Sequence, residues 1–363
     1  MKEKFENLKD LYGIRGAVSE YRQITNGHIN GTYYVVIDGK QYIFQKVNTY
    51  VFKDPVAVMD NIMMIDNFIR NNQKKSVCKI INFLVNNELK NYTFINNEEG
   101  NFEFWRICVF EADTVTFEVV ESPEVLRSAG YAFGDFINVI SDFPAEKLNI
   151  TIPDFHNTRK RLENFFRIVG LDGHNRAKGV RDEIKIFEQY HDFCCKLTDM
   201  AEACELPLRP VHNDTKYNNI LLNRESFEPV CVLDLDTIMP GLVAHDFGDA
   251  IRFAANRAAE DERDLGKVYL DFEYFKEFTQ GFMGAVSGSL TEAELSTLAL
   301  GAPVITFELA SRFLADYIDG DKYFAVHREG HNLDRARCQL ALAVSMMDRL
   351  DEMCGFVRAS TSG

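Results

Sequence analysis

The sequence predicts an α+β fold of two lobes, a small antiparallel β lobe with one helix and a larger, mainly helical lobe. Two observations support this prediction. Strand-forming segments and turns dominate the first hundred or so residues, and helical patterns dominate from Ser122-Pro123 onward. A short connector near Glu111–Val115 separates the two. We therefore predict an N-terminal lobe over residues 1–112 and a C-terminal lobe over residues 113–363.

In the first lobe, β-rich segments surround a glycine-containing turn at residues 26–31, and Asp38-Gly39 is typical of a hairpin. Asp54-Pro55 combines a capping residue with a proline at the first helical position, which predicts a helix to about Arg70. The predicted strands are Val18–Ile24, Thr32–Ile37, Tyr42–Val47, Ile80–Asn86, Tyr92–Asn96 and Phe102–Phe110.

In the second lobe, residues 209–238 depart from the helical pattern. They predict a loop and two short strands, Ile220–Leu222 and Val230–Leu233, joined by a turn. Four or five helices should follow, one of them starting at the capping box Thr291–Glu294.

Composition and charge narrow the class of protein. Hydrophobic residues make up 46% of the chain and charged residues 26%, which excludes collagen-like, coiled-coil and disordered chains. With 363 residues, the chain can bury a large core without disulfides or a structural metal. The formal net charge of −15 repels nucleic acids and anionic membranes, so we expect neither as a partner.

The cysteines and the start of the chain bear on location. The 8 cysteines form no C-x-x-C pair, and the charged start MKEKFENLKD does not resemble a secretory leader. Apolar runs fall short of the ~18 residues that a membrane span requires. We expect reduced thiols and a cytoplasmic protein, either a monomer or a weak homodimer.

The residues that point to chemistry lie in His212–Asn219, before one short strand, and in Asp234-Leu235-Asp236, after the next. Phosphoryl transfer from ATP depends on positioning and charge neutralisation, which require oxygen ligands for Mg²⁺ and a carboxylate beside the acceptor hydroxyl. The spacing His-x-Asp-x-x-x-x-Asn, followed by an Asp 20 residues after the first, is the kinase arrangement. Asn and Asp are also common in turns, but here several matched features occur in order.

A second candidate for the metal site is Asp246-Phe247-Gly248, which spells the magnesium tripeptide of protein kinases. It lies 32 residues beyond Asp214 and opens a helical pattern, whereas Asp234 has the expected spacing and a strand before it. We therefore predict metal binding at Asp234. For Asp246 we predict a structural role in which it hydrogen-bonds the backbone of the catalytic loop.

These motifs resemble the aminoglycoside phosphotransferase and choline kinase branch of the protein-kinase-like superfamily. Further stretches resemble the N-acetylhexosamine 1-kinases, a bacterial family that phosphorylates the anomeric hydroxyl of N-acetylglucosamine and N-acetylgalactosamine. The resemblance runs from about Ala17 to Leu340. The stretches are Gly27–Asn30 before Thr32-Tyr33, HNDTKYNNIL at 212–221, LDLDTIMPG at 233–241, DFGDAIRF at 246–253, RFLADYIDGDKYF at 312–324 and HNL at 331–333.

The resemblance implies a protein-kinase-like fold that uses ATP and Mg²⁺, and it implies roles for particular residues. Asp214 would be the catalytic base, Lys216 would neutralise the γ-phosphate, and Asn219 and Asp234 would hold Mg²⁺. The implied sugar-binding residues are Asp236, His28, Phe253, Arg312, Asp316 and Tyr317. The implied nucleotide-binding residues are Gly27, Asn30 and Gln45, with Phe110, Glu111 and Ala112 offering backbone groups to adenine.

Several of these residues have an ordinary structural alternative. Phe253 fits an apolar helical stripe, Arg312 and Asp316 are spaced as a solvated i,i+4 ion pair, and an exposed His28 would be idle. For Asp236 we add a geometric expectation. Because it lies two residues after Asp234, both carboxylates should share one face of an extended chain.

The sequence departs from the kinase pattern at the third strand, Tyr42–Val47. Kinases present a lysine or arginine to the α- and β-phosphates there, but our alignment puts Gln45 at that position and turns Lys46 to the opposite face. The following helix offers Asp60 and Asp66 but no Glu. The preferred donor nucleotide therefore stays open.

We predict an ATP- and Mg²⁺-dependent kinase that phosphorylates the anomeric hydroxyl of an N-acetylhexosamine. Two alternatives stay open. One is a kinase of the same superfamily acting on an aminoglycoside, choline, homoserine or methylthioribose. The other is a catalytically silent nucleotide-binding module, suggested by Gln45 and by a turn with only Gly27 and Gly31.

Overall fold

The computed structural model describes residues 1–25, 29–71, 76–96, 100–117, 122–286 and 288–361. It is an α+β structure with a small N-terminal lobe built on an antiparallel sheet and a larger, mainly helical C-terminal lobe. The predicted fold class is confirmed. The two lobes enclose a cleft, and Gln45, Asn219 and Asp234, which the sequence singled out, are among the residues that line it.

The N-terminal sheet contains five strands among the described residues. They are β1 Val18–Ile24, β2 Gly31–Ile37, β3 Lys40–Val47, β5 Thr93–Asn96 and β6 Phe102–Val109. Their order is β1-β2-β3-β6-β5, with antiparallel neighbours throughout. The register of β3 and β6 puts Gln45 opposite Arg106 and Lys46 opposite Trp105. This pairing decides which side chains reach the cleft.

Two helices belong to this lobe among the described residues, so the prediction of one helix is wrong. The helix α2 covers Pro55–Asn71 as expected, but α1 covers Lys2–Leu11. Phe5 and Leu8 of α1 are fully buried against the outer face of the sheet, where Phe5 packs edge-on against Phe44. The sequence gives little sign of α1, because these apolar residues stand among charged ones and its stability comes from tertiary packing.

The strand predicted at 80–86 is also corrected. Its regular part, β4, is only Lys79–Ile80, and β4 pairs in parallel with a strand of the other lobe. The resulting second sheet has the order β4-β10-β9-β7 and forms one wall of the cleft. Its other strands are β7 Thr114–Val115, β9 Ile220–Asn223 and β10 Pro229–Val232.

The C-terminal lobe consists mainly of helices, with a short hairpin formed by β8 Arg209–Val211 and β11 Met239–Gly241. The predicted capping box is confirmed, since the Glu294 amide donates to the Thr291 hydroxyl and the Thr291 amide donates to the Glu294 carboxylate. The helices are α3 Pro123–Ile140, α4 Thr158–Leu171, α5 Arg181–Glu202, α6 Val243–Ala254, α7 Phe272–Val286, α8 Glu292–Ile318, α9 His331–Asp348 and α10 Leu350–Ser360.

Helix α8 is long and apolar enough to cross a membrane by length and composition alone, and in the described part of the chain no other helix passes that test. Its most apolar window is 89% buried inside the protein. The other C-terminal helices supply that cover, as they do for the core helix of a globular lobe.

Glycines bring α6 and α8 into backbone contact. A Cβ atom at Gly301 would overlap the carbonyl oxygen of Ala244, and one at Gly248 would overlap the backbone at Gly301. Only glycine permits so close an approach. The contact fixes the position of α6, which carries Asp246.

We expect Gly301→Ala to lower the free energy of unfolding by about 1–3 kcal/mol, because the added methyl group must push the two helices apart. Gly355→Ala in α10 is the matched control, since a Cβ at Gly355 meets open space. The control should be neutral or stabilising by up to about 1 kcal/mol. Urea denaturation measures both, and equal effects of the two substitutions would contradict the close helix contact.

Candidate active site

The candidate catalytic loop, residues 212–219, connects β8 to β9 and is held by one buried carboxylate. The backbone amides of His212 and Asn213 donate to the two oxygens of Asp246, each at 2.7 Å. Asp246 is 1% exposed. Burial raises its pKa to about 6, while the charge of His212 and the two amide hydrogen bonds oppose the increase. The predicted contact between Asp246 and the loop backbone is confirmed.

The loop is also tied to the segment that follows β10. His212 Nε2 lies 2.8 Å from the carbonyl oxygen of Leu233, and the Thr237 hydroxyl donates to the His212 carbonyl at 2.7 Å. The side-chain amide of Asn213 donates to the Thr237 carbonyl at 2.9 Å. Asn213 itself has a positive φ of 63°, a conformation that asparagine tolerates better than most residues. The loop and the Asp234 segment are therefore fixed relative to each other.

A third support, which the sequence did not reveal, comes from α8. His156 Nε2 lies 3.2 Å from the Asn213 carbonyl oxygen, and His156 Nδ1 lies 3.0 Å from Glu308. The Thr158 hydroxyl donates to the other Glu308 oxygen at 2.7 Å. Although burial opposes ionisation, the attraction of His156 lowers the pKa of Glu308 to about 2, and Glu308 raises the pKa of His156. The His156–Glu308 pair therefore holds the loop in addition to Asp246.

The predicted base, Asp214, is positioned by Lys216 and Asn219. Lys216 Nζ lies 3.0 Å from Asp214 Oδ1, and the Asn219 side-chain amide donates to the Asp214 carbonyl at 2.9 Å and to Oδ2 at 3.2 Å. Burial acts to raise the pKa of Asp214, but the Lys216 charge outweighs it and lowers the pKa below its ordinary value. Asp214 is therefore a carboxylate at neutral pH. Because the side-chain nitrogen of Asn219 donates to Asp214, its side-chain oxygen can accept or coordinate another partner.

The Asp234 carboxylate is exposed to the cleft, although the cleft walls surround it closely. This enclosure, followed by the nearby charges of Asp236 and Asp214, raises the pKa of Asp234 to about 7. Crowded carboxylates with an amide oxygen beside them are ligands that suit Mg²⁺, which takes one or two carboxylates and completes its shell with water and phosphate. In the described part of the chain, no group of three or more His, Cys, Asp or Glu side chains is arranged to hold a metal. A site that needs the nucleotide to complete it fits both observations.

Asp236 does not lie as the sequence argument expects. Asp234 has a left-handed conformation with φ of 52°, and a 3₁₀ turn, Leu235–Thr237, follows it directly. The chain is therefore not extended there, and the expectation that the two carboxylates share one face is wrong. The Asp236 carboxylate is 2% exposed and accepts a hydrogen bond from the Asn30 side chain at 2.8 Å. The remaining contacts of this carboxylate come from Arg106.

Arg106 on β6 is a residue of the site that our sequence argument missed. Its Nη1 lies 2.6 Å from Asp236 Oδ1, its Nη2 donates to Asp236 Oδ2 at 2.9 Å, and its Nε donates to the Gln45 side chain at 2.7 Å. The arginine is 1% exposed. A signal was present, because Arg106 is a single cation within the apolar run FEFWRICVF, and such residues are rarely buried without a partner.

Lys46 follows the prediction and turns away from Gln45. Its Nζ lies 2.7 Å from Glu103, which also contacts Lys4 at 2.8 Å. Although burial opposes ionisation, the two lysines and Trp105 lower the pKa of Glu103 to about 2. Lys46 therefore belongs to an ion-pair group beside α1.

The cleft between the lobes has a volume of about 810 Å³, which is large enough for a nucleotide. The predicted residues Gln45, Phe110, Glu111, Asn219 and Asp234 line it, whereas Ala112 is not among the lining residues described. Its apolar walls come from both lobes and include Ile24, Ile43, Ile80, Cys108, Leu221 and Cys231. Gly27 and His28 lie outside the described residues.

Of the remaining predicted sugar-binding residues, Phe253 contacts the catalytic loop, whereas Arg312 and Tyr317 contact other parts of the C-terminal lobe. Phe253 is partly buried and packs on Tyr217 of the catalytic loop, with ring centroids 4.8 Å apart. Arg312 lies against the ring of Phe324, 5.5 Å from its centroid. Tyr317 lies beneath the guanidinium of Arg176, which is 4.8 Å from its ring centroid.

Asp316 organises a loop of its own lobe. Its two oxygens accept hydrogen bonds from the backbone amides of Lys322, Tyr323 and Phe324 and from the Asn332 side chain, all between 2.8 and 2.9 Å. These four bonds use the acceptor sites of a carboxylate. Asp316 therefore holds the loop at residues 322–324, and its contact with the sugar stays a prediction.

Comparison with known proteins shows the family to which the chain belongs. The profile of the phosphotransferase enzyme family, APH, matches residues 20–277, and the chain belongs to this family. Among solved structures, the chain is similar to a microcompartment-associated aminopropanol kinase, with 12% identity, a TM-score of 0.59 and coverage of 96% of this chain and 98% of that one. It is also similar to a spectinomycin phosphotransferase solved with ADP and spectinomycin, with 13% identity, a TM-score of 0.58 and coverage of 97% and 98%.

A third similar structure is an amicoumacin kinase in complex with AMP-PNP, Ca²⁺ and its substrate, with 12% identity, a TM-score of 0.59 and coverage of 94% of this chain and 92% of that one. At these identities the likeness concerns the fold. The family and the fold thus agree with the coarser part of the sequence interpretation.

The two candidate metal aspartates can be separated by substitution. We expect Asp234→Ala to keep the melting temperature and to abolish the Mg²⁺-dependent part of ADP affinity, because a carboxylate ligand is lost. Asp246→Ala should lower the melting temperature, because two buried amides lose their acceptor at about 1–3 kcal/mol each. The folded fraction of Asp246→Ala should still bind ADP in a Mg²⁺-dependent way.

Differential scanning fluorimetry and isothermal titration calorimetry with ADP, with and without Mg²⁺, measure these effects. A stable Asp246→Ala protein that no longer responds to Mg²⁺ would reverse the assignment.

Proposed function

We propose that the chain transfers the γ-phosphoryl group of ATP to the anomeric hydroxyl of an N-acetylhexosamine. The observation that carries the proposal is that Asn219 and Asp234 line a nucleotide-sized cleft, while Asp214 accepts a hydrogen bond from Asn219 and lies close enough to help raise the pKa of Asp234. A catalytically silent module has no need for all three, since the ionised base, the amide and the crowded carboxylate serve binding and transfer of a phosphoryl group.

Each residue has a defined task in this reaction. Asp214 accepts a hydrogen bond from the acceptor hydroxyl and takes its proton as the hydroxyl oxygen bonds to phosphorus and ADP leaves. Lys216 keeps Asp214 ionised and offers a positive charge to the γ-phosphate. Asn219 and Asp234 would hold Mg²⁺, which supplies charge neutralisation at the β- and γ-phosphates. The three supports of residues 212–213 keep the base in place.

The apolar part of the cleft suits adenine. Ile24 and Ile43 from the N-terminal lobe face Leu221 and Cys231 from the C-terminal lobe, so a flat base can be stacked between two apolar walls. The connector that begins at Phe110 supplies backbone groups for the polar edge of the base. Main-chain recognition of this kind sets little restriction on side chains.

The charges near the catalytic loop support the acceptor class that we propose. Arg312 lies one helical turn after Glu308 on α8 and therefore on the face that reaches Asn213 through His156. Burial is the main cause that lowers the pKa of Arg161, and the nearby positive charge of Arg312 is the second. The buried Nε of Arg161 has no hydrogen-bond partner among the described residues. Two guanidinium groups attract carbonyl and hydroxyl oxygens and repel ammonium groups.

This charge pattern supports a neutral N-acetylated sugar over a cationic acceptor. The competing candidate is an amino alcohol or aminoglycoside, which the names of the similar aminopropanol kinase and spectinomycin phosphotransferase suggest. Choline, homoserine and methylthioribose are further candidate acceptors for a kinase of this superfamily.

A coupled ADP-release assay tests the acceptor directly. The panel is N-acetylglucosamine, N-acetylgalactosamine, glucosamine, choline, homoserine, methylthioribose, spectinomycin and kanamycin, with ³¹P NMR to locate the phosphate. We expect an anomeric phosphate on at least one N-acetylhexosamine. Glucosamine, which carries an ammonium group in place of the acetamide, should have a kcat/KM at least tenfold lower. A 1-deoxy-N-acetylhexosamine should release no ADP above the background.

Turnover of choline, homoserine, methylthioribose or an antibiotic, with none of an N-acetylhexosamine, would contradict the sugar assignment. ADP release with none of the acceptors would favour the silent module.

The role of Asp214 can be tested independently. Asp214→Asn should lower kcat by about 10²- to 10⁴-fold, because the positioned proton acceptor is lost. ADP affinity should change little, since the shape of the side chain is kept. Asp182→Asn, at an exposed position on α5, is the matched control. Retention of more than a tenth of the wild-type turnover would exclude Asp214 as the base.

A further inference from the structure

The cleft needs a cation for the nucleotide phosphates, and the usual elements do not supply it. Kinases use a lysine on the third strand, paired with a glutamate from the neighbouring helix. Here Gln45 occupies that strand position, and Lys46 is engaged by Glu103 on the other side of β3. On α2, Asp66 pairs with Arg70 at 2.7 Å and Asp60 is exposed. The lysine of the third strand is therefore replaced by Gln45, and the described residues of α2 offer no glutamate to pair with it.

Arg106 supplies a cation at this place from the adjacent strand. The sheet register sets Arg106 opposite Gln45. Its Nε donates to the Gln45 side chain, and its Nη2 donates to Asp236. It lines the same cleft as Asp234 and Asn219, and its charge acts to lower the pKa of Asp234. The positive charge is therefore held beside the metal position, as the β3 lysine is held in other kinases.

We propose that Arg106 binds the α- and β-phosphates of the nucleotide in place of the third-strand lysine, and that Asp236 holds it there in place of the helix glutamate. The inference rests on the proposed use of a nucleotide as phosphoryl donor, but it is independent of the acceptor.

The hydrogen-bonding capacity of Arg106 agrees with this role. Hydrogen bonds to described residues use three of its five N–H groups, one to Gln45, one to Asp236 Oδ2 and one to the sulfur of Met59. Nη1 also lies 2.6 Å from Asp236 Oδ1 as an ion pair. The remaining N–H groups can donate to a phosphate oxygen. Asp236 offsets the cost of burying the guanidinium group, which would be large for an unpaired charge.

The same pair also joins the lobes, because Arg106 belongs to the N-terminal sheet and Asp236 follows β10 of the C-terminal lobe. A purely structural link would stabilise the cleft for any ligand, with or without phosphates. Phosphate binding would instead affect only ligands that carry phosphates. Comparison of adenosine with ADP therefore separates the two roles.

The test uses isothermal titration calorimetry with adenosine and with ADP, in Mg²⁺ and in EDTA. The double variant Arg106→Met/Asp236→Asn removes both buried charges, which preserves folding better than leaving one unpaired. Its adenosine affinity should stay within about twofold of wild type, and its ADP affinity should fall about 10- to 100-fold in both buffers, as expected for the loss of a charged hydrogen bond. Arg106→Lys should fall between wild type and the double variant.

A control completes the design. Lys46→Met, which removes the neighbouring cation of β3, should leave both affinities unchanged. A double variant with unchanged ADP affinity, or with equal losses for adenosine and ADP, would overturn the proposal, and so would loss of ADP affinity in Lys46→Met. Because no acceptor is present, a wrong sugar assignment would leave these results unaffected.

Discussion

The two hydrogen bonds from the amides of His212 and Asn213 to Asp246 are the contacts on which the rest of the site depends. They convert a short loop into a rigid support for Asp214. Asp246 in turn depends on α6, and α6 lies against α8 through glycines that leave no room for a side chain. The ion pair of His156 and Glu308 holds the same loop from α8. Packing of two helices thus sets the position of the proposed base.

A second constraint is the left-handed conformation of Asp234. It interrupts the extended chain between Asp234 and Asp236, and the two carboxylates have different surroundings. Asp234 faces the cleft, where a metal can be held, and Asp236 turns to Arg106. One backbone conformation therefore separates a carboxylate that is suited to metal binding from one that holds a buried arginine.

Much of the fold and part of the site follow from local sequence. The helix at Asp54-Pro55, the capping box at Thr291 and the spacing of Asp214, Asn219 and Asp234 are short-range signals. The contact of Asp246 with the loop was predictable because the tripeptide opens a helix instead of ending a strand. Contacts between distant residues were not predictable. Arg106 and Asp236 are 130 positions apart, and His156 and Glu308 are 152 apart.

Helix α1 and the role of Asp316 show the same limit. The burial of Phe5 and Leu8 depends on the sheet against which they pack. The role of Asp316 depends on the loop at residues 322–324, from whose amides it accepts hydrogen bonds. In both cases the sequence does not indicate which distant residues the side chain will contact. Single-residue patterns predict elements and spacings, whereas pairings between lobes require the tertiary structure.

We propose that Asp234 holds the metal, while Asp246 holds the loop. A crystal structure with Mn²⁺ and ADP, which locates the metal by anomalous scattering, tests it most directly. We expect a peak about 2.1 Å from oxygens of Asn219 and Asp234, with Asp246 still accepting from the amides of His212 and Asn213. A peak coordinated by Asp246, with those amides released, would contradict the account.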